Sequence, residues 1–402
     1  WESGFEANNL GFNVYREVSG KRTRVTPQLV AGSALLTGVG TSLAAGRSYY
    51  WWDESVQRKG KAQYWLEEID LNGLSKWHGP IMAGRASDPN PPPGRGGSML
   101  LSNISRSIPS SSNLVERKAT PAAITPALIG IQAEAAARPA AKLSVKQEGW
   151  YRVSGQDLLT AGLRAKTDPR NLQLVVDGQQ QAMLVQGEEN GRLDASDSVE
   201  FYGLGLDTFS TDTRTYWLVA GTQAGLRISQ GKVKGNREAD SSFAYTVERK
   251  DRTIFIPSLK NENYFGAIIA KDPVDQTLSL PHVNRAATSD PAKIDVSLQG
   301  VTLQQHKVKV LLNDDILGEI NFDGQGQGRT TFSVPHTWLR QGDNKITLLA
   351  EAGDLDISVV EAIRMTYQHT YSADGDALRF TASPKQKVTI DGFTTSAIRV
   401  VD

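Results

Sequence analysis

The stretch NGRLDASDSVEFYG, residues 190–203, gathers acidic side chains into a turn and then runs into an aromatic strand. Three chemistries suit that composition. If Gly191 is the sharp-turn glycine of an EF-hand-like loop, Glu188, Asn190, Asp194 and Asp197 fall at ligand positions three, five, nine and twelve. The carbonyl of Arg192 then supplies position seven, while position one is Gln186, a poor ligand for a hard ion, so water must complete any calcium shell. The plainer reading is a solvated turn whose Asp side chains satisfy nearby amides. Paired-carboxylate catalysis fits least, because it needs two carboxyls facing across a cleft and a cluster within one turn defines none.

Other candidate groups are scattered. Asp374 and Asp376 in YSADGDALRF repeat the Asp-Gly texture and read as a turn. His78, His282, His306, His336 and His369 are dispersed, with no HExxH-like pair, so each is expected to be structural. No GxSxG elbow or P-loop occurs, and the glycines of DGQGQGRTTF, at 324–328, lack a following Lys-Ser or Lys-Thr and read as a hairpin turn. The complete lack of cysteine excludes disulfides, thiolate metal sites and a cysteine nucleophile within this chain. Trp51, Trp52, Trp65, Trp77, Trp150 and Trp217 lie in strand-like segments, where core or interface packing is favoured over a carbohydrate platform. Adjacent Trp51 and Trp52 must point to opposite sides of an extended chain, which puts one of them at a surface or a domain contact.

These groups sit on a chain long enough, at 402 residues and 39% hydrophobic, for two or three domains with proper cores. Lys+Arg and Asp+Glu both number 44, so no net basic field draws the chain to nucleic acid. No apolar run is long enough for a membrane-spanning segment. The start at Trp1, without a cationic and apolar leader, suggests a mature or trimmed product.

The elements expected to position the candidate residues are mainly β, in a multi-domain chain. GFNVYREV turns at Ser19-Gly20 into KRTRVT, and QYWLEEIDLNG turns at Asn72-Gly73 into LSKWHGPI, which predicts a β-sandwich over 1–84. Residues 85–141 are rich in Pro, Ala and Ser and are expected to form a tether, with MLLSNIS and PALIGIQAEAAA able to dock as a strand or a helical turn. A small β domain with one short helix follows over 142–250. Ser154 is its natural N-cap, Leu158, Leu159 and Leu163 share one side of the helix, and a hairpin turns at Asp177-Gly178. Residues 251–402 carry many alternating segments, from TLSLP and KIDVSLQG to LRFTA and IRVV, and predict a jelly-roll-like sandwich in which HTWLRQGDN is a short helical or turn connection.

At NNLGFNVYRE and YWLEEIDLNGLSKWHGP the chain resembles fibronectin type III-like modules of large secreted bacterial surface proteins, over roughly the first 84 residues. The resemblance implies that a first strand is missing before Trp1. From GWYRVSGQDLLTAGL through DPRNLQLVVDGQQQAMLVQG and NGRLDASDSVEFYGLGLDTFSTDTRTYWLVAG, the chain resembles the region preceding the catalytic domain of gingipain-like cysteine peptidases. The likeness continues through YFGAIIAKDPVDQTLSLPHV, LRQGDNKITLLA and DALRFTASPKQKVTIDGF, and is most specific from Asp194 to Gly221.

In that family the corresponding region is β-rich and prodomain-like, and a catalytic domain with a Cys-His pair follows it. The resemblance therefore implies a non-catalytic, secreted or cell-surface bacterial chain that contacts a peptidase domain in cis or in trans. No cofactor is required. A prodomain can lay a basic side chain into a peptidase pocket, and Arg192 or Arg214 are the residues available for that role. The alternative is an extracellular structural, adhesive or glycan-binding protein, whose partners are other surface-protein subunits.

Overall fold

The computed structural model describes residues 1–4, 6, 8–36, 47–53, 62–71, 73–82, 100, 113–114, 125–208, 211–229, 231, 235–256, 262–287 and 290–401. The fold is mainly β, and two compact units divide it: Trp1–Val115 with Gly235–Asp402, and Glu116–Lys234.

In the first unit, two antiparallel sheets pack as a jelly-roll-like sandwich. One sheet orders Gln327–Val334, Ala292–Gly300, Ser358–Thr370 and Ser242–Arg249, with the short strand Asn113–Leu114 at its edge. The other orders Val274–Leu280, Gly342–Ala350, Gln305–Leu312 and Asp315–Asp323. Strict alternation builds the core: Val308, Val310 and Leu312 face inward while Lys307 and Lys309 face out, and Ile294, Val296, Ile363 and Met365 meet them from the opposite sheet. Between the sheets' strands, Asn313 and Asp314 both take positive φ, as a tight two-residue hairpin requires.

The N-terminal strands Lys21–Arg24, Asn9–Val18, Gln63–Asp70 and Ser75–Met82 form a further antiparallel sheet of this unit. The predicted Ser19-Gly20 turn is present, with both residues at positive φ. The second hairpin also closes, with Gly73 at φ 76°, although Asn72 lies outside the described residues. Sequence reasoning set a boundary after residue 84 and another after 250. The structure instead gives Leu10, Leu29, Ile69 and Leu71 a common apolar core with Ile254, Phe265, Ile268, Val301, Ile357 and Val359. Burial of these side chains against one another joins the N-terminal sheet to the sandwich.

Two further expectations are corrected. The glycines at 324–326 do not close a hairpin: Asp315–Asp323 and Gln327–Val334 belong to different sheets, so this turn is a corner of the sandwich. The alternating segments LRFTA and IRVV form no strands, since extended backbone becomes sheet only when a neighbour takes up its amides. HTWLRQGDN, by contrast, contains the expected short turn, the 3-10 helix His336–Trp338.

The second unit has a three-stranded sheet of Gly149–Ser154, Ser198–Gly203 and Leu184–Gln186, and a four-stranded sheet of Gln179–Gln181, Leu172–Val176, Arg214–Ala220 and Ala140–Val145. Ser154 caps the helix Gly155–Thr160, its Oγ accepting from the Asp157 amide at 3.1 Å and donating to the Asp157 carboxylate at 2.6 Å. Leu158 and Leu163 enter the core and Leu159 packs beside it. The Asp177-Gly178 hairpin has both residues at positive φ. Of the predicted tether, much lies outside the described residues, but PALIGIQAEAAA is the helix Pro126–Ala137. Thr125 caps it and Pro126 opens it, where a missing amide costs nothing.

Candidate functional site

The acidic turn is built around an apolar anchor. Leu193 is buried in the core of the second unit and pins the polar residues beside it. Asp197, only 5% exposed, accepts the Asp194 amide at 2.8 Å. Asn190 donates to the Asp194 carboxylate at 2.7 Å and accepts from the Arg192 amide at 2.9 Å. Glu188 receives both Nε and Nη2 of Arg227 at 3.0 Å, and the same guanidinium donates to the carbonyls of Pro169 and Arg170.

The residues expected to bind calcium already have protein partners here: an ion would have to displace a guanidinium from Glu188 and the local amide and amide-side-chain bonds from Asp197, Asn190 and Asp194. Arg227 was invisible to sequence reasoning because it enters from a distant loop. The described geometry is that of a self-satisfied turn.

The two arginines differ sharply. Arg214 donates to the Asp177 carboxylate from Nε at 3.1 Å and Nη2 at 2.7 Å, and its guanidinium carbon lies 5.6 Å from the Tyr216 ring centre. That bidentate pair engages the Arg214 guanidinium within the chain. Arg192 stands exposed at the turn, and no carboxylate pairs with it among the described residues.

Two histidines that look unrelated in sequence meet a third group. His369, near the end of Ser358–Thr370, and His282, in the turn at 281–284, both face Asp374. The Nε2 atoms stand 3.1 Å (His369) and 3.4 Å (His282) from the carboxylate oxygens. Asp374 closes a tight turn with Ala377, across which Gly375 and Asp376 take positive φ, so the expected turn is present and also delivers a carboxylate. Asp376 accepts from the Thr394 amide and hydroxyl, which hold its carboxyl below the usual range. His369 is fully buried among Phe243, Tyr245 and Tyr367, and that burial lowers its affinity for a proton. Among the described residues, no group of three His, Cys, Asp or Glu side chains is arranged to hold a metal ion.

The other histidines are structural. His306 and Asp356 are buried together at 2.8 Å, and His336 bonds the carbonyl of Asp290 at 2.9 Å. His78 contacts Glu68 at 2.8 Å.

The N-terminal sheet carries an aromatic face. The Arg22 guanidinium carbon lies 3.6 Å from the Trp65 ring centre and 5.4 Å from that of Trp77, while Tyr15 and Trp77 stand 4.9 Å apart. Asn13 and Tyr15 both donate to the Glu67 carboxylate at 3.0 Å. Strand Ser75–Met82 forms the edge, with Trp77 41%, Ile81 41% and Met82 63% exposed. Of the adjacent pair, Trp51 packs on Phe12, Val30 and Tyr49 whereas Trp52 is exposed, as the alternation requires.

Partial burial and the Glu67 carboxylate push the Tyr15 hydroxyl up to about 12 from 10.0. Because the folded value is the higher, stability linked to Tyr15 is complete below pH 10 and declines as pH rises from 10 towards 12. A phenolate absorbance titration should show a late step, near pH 12, that shrinks in Tyr15→Phe. An unchanged late step would remove Tyr15 from it.

No family model matches the chain, and no curated protein matches it. Among solved structures it is similar to dimeric latent PorU from Porphyromonas gingivalis, with a TM-score of 0.45 and 13% identity. That similarity covers 64% of this chain and 27% of the PorU chain, so the chain spans well under two thirds of that protein's length. It is also similar to the carbohydrate-binding module CBM36 solved with calcium and xylotriose, at a TM-score of 0.20 and 18% identity over 32% of this chain and 93% of the module. A third similarity is to the CBM36-1 domain of a multidomain xylanase from the hindgut metagenome of Trinervitermes trinervoides, at 0.20 and 12% over 33% of this chain and 88% of that one. At such scores no residue role is transferred, and none of the described helices is long and apolar enough to cross a membrane.

Proposed function

We propose that this chain is a non-catalytic accessory region of a secreted or cell-surface bacterial protein, acting by protein contact with a gingipain-like cysteine peptidase domain. The observation that carries the reading is the edge strand Ser75–Met82. It is exposed along nearly its whole length and presents Trp77, Ile81 and Met82, whose water contact a partner would relieve. The lack of any cysteine supports a non-catalytic role for this chain within a cysteine-peptidase system. Exposed Arg192 adds a second contact, a basic side chain available to an acidic pocket. In this reading the separate expectations for 1–84 and 251–402 become one body, which also takes 235–250, and the rest of 142–250 lies in a second that carries Arg192.

The exposed Trp77 ring beside Tyr15 also favours a second reading, in which this face stacks on a sugar in an adhesive or glycan-binding protein. Intact-mass spectrometry with peptide mapping of material from the natural source separates the two. Peptides of a Cys-His peptidase domain, joined to or co-purifying with the chain, are the expected result. Material without such peptides, retained on a polysaccharide gel through Trp77, would favour the glycan reading.

A further inference from the structure

We propose that Ser75–His78 takes up an extended polypeptide segment as an added β-strand, with acidic side chains on the Lys76 side and apolar ones on the Trp77 side. The inference rests on the contact reading above and names the form that the partner takes.

The backbone supplies the first observation. Ser75–Met82 ends its sheet and, among the described residues, pairs only with Gln63–Asp70. In such a ladder every second residue turns its N–H and C=O towards the neighbour, so the others turn theirs outward, where a further strand can bond them. An extended peptide backbone is the complement of that row. Pro80 has no N–H to offer and, with Gly79, interrupts the register with Gln63–Asp70, which confines the added strand to Ser75–His78.

Charge is a second, independent observation. Lys76 is exposed, and no carboxylate pairs with it among the described residues. Glu68, its partner across the ladder, is engaged by His78 at 2.8 Å. Trp77 projects from the opposite face of the strand, beside Tyr15 and Arg22, and Arg22 is already paired with Glu17 at 2.9 Å. Lys76 is therefore the cation left for a partner on this edge. An acidic residue next to Lys76 and an apolar one next to Trp77 alternate along the incoming strand, as its own pleat demands. A second copy of this edge would set Lys76 near its own counterpart, so the charge favours a different chain.

The test mixes the full chain with a capped peptide of alternating Val and Glu and, separately, with its counterpart of alternating Val and Lys. Calorimetry should find one Val-Glu peptide bound per chain, and binding of the Val-Lys peptide weaker by about fivefold or more. Lys76→Glu, at an exposed position, should reverse that preference, and an unchanged unfolding midpoint checks that it folds. Hydrogen exchange should slow at alternate amides of Ser75–His78 when the Val-Glu peptide is bound. Saturable binding without that slowing would mean docking through side chains alone, which leaves the contact reading standing and overturns strand addition. Absence of Val-Glu binding, or a preference that Lys76→Glu leaves unchanged, would also overturn it. So would amides that exchange slowly before any peptide is added and lose that protection on dilution, the mark of a second copy on the edge.

Discussion

Asp356→Ala should destabilise the first unit by about 3 kcal/mol or more, the cost typical of removing the acceptor at the centre of a buried hydrogen-bond network. Asp356 and His306 are both fully buried. The carboxylate accepts from His306 Nδ1 at 2.8 Å and from the amides of Lys307 at 3.2 Å and Ala352 at 2.9 Å. The other imidazole nitrogen faces the carbonyls of Gly324 and Thr302, at 3.0 and 3.2 Å, and Phe322 stacks on the ring. The His306–Asp356 pair thus links the corner at 324, the start of Gln305–Leu312 and the loop at 352–356. Alanine leaves three donors without their acceptor, the buried His306 Nδ1 among them. Chemical denaturation of the whole chain measures the loss. Asp295→Ala is the control, since its ion pairs with Arg329 and Arg364 lie near the surface and should contribute less than about 1 kcal/mol. Equal effects from the two would show that burial of the His306 pair is not what stabilises the corner.

Gly187→Ala should cost about 3–4 kcal/mol for the second unit, from two causes that add. Gly187 has φ 88°, which disfavours a side chain, and an added Cβ would meet Oδ1 of Asp197 at 1.9 Å. Asp197 cannot step aside without releasing the Asp194 amide. The turn holding Leu193 in the core would therefore open, and protease nicking within 186–197 should appear together with the lowered denaturation midpoint. Gly162→Ala is the comparison: φ there is 105°, but nothing lies within 4 Å of its Cβ, so only the backbone cost applies. If both substitutions cost the same, the close approach to Asp197 is not what shapes the turn.

Sequence revealed those features whose causes are local. Alternation in HKVKVLLN placed Val308 and Val310 inside, and Asp177-Gly178 announced its hairpin, because pleat and turn geometry depend on neighbouring residues. The glycines at 324–326 announced a reversal but not its destination, since a turn signal carries no record of which sheet the next strand joins. Ile69 and Leu71 looked like the end of an ordinary strand, and only the fold shows them meeting Phe265 and Val359.

The same limit governs the candidate sites. The carboxylates at 188–197 were legible, but Arg227, which engages Glu188, was not. His282, His369 and Asp374 come from three segments, and their meeting depends on sheet pairing that brings Val283 beside His369. Arg214 carries a charge that the sequence leaves unpaired, yet Val176 pairs with Tyr216, two residues on from Arg214, and Asp177 follows Val176 in the hairpin, so the turn delivers the counterion.

The proposed contact role is tested most directly by measuring peptide hydrolysis by any Cys-His peptidase domain that co-purifies with this chain, in the presence of the added chain and of its Trp77→Ala form. The account predicts that the chain slows hydrolysis or binds the domain, and that Trp77→Ala weakens the effect by about 2 kcal/mol, near thirtyfold. Hydrolysis and binding that ignore the chain, or that respond equally to the chain and to Trp77→Ala, would contradict it.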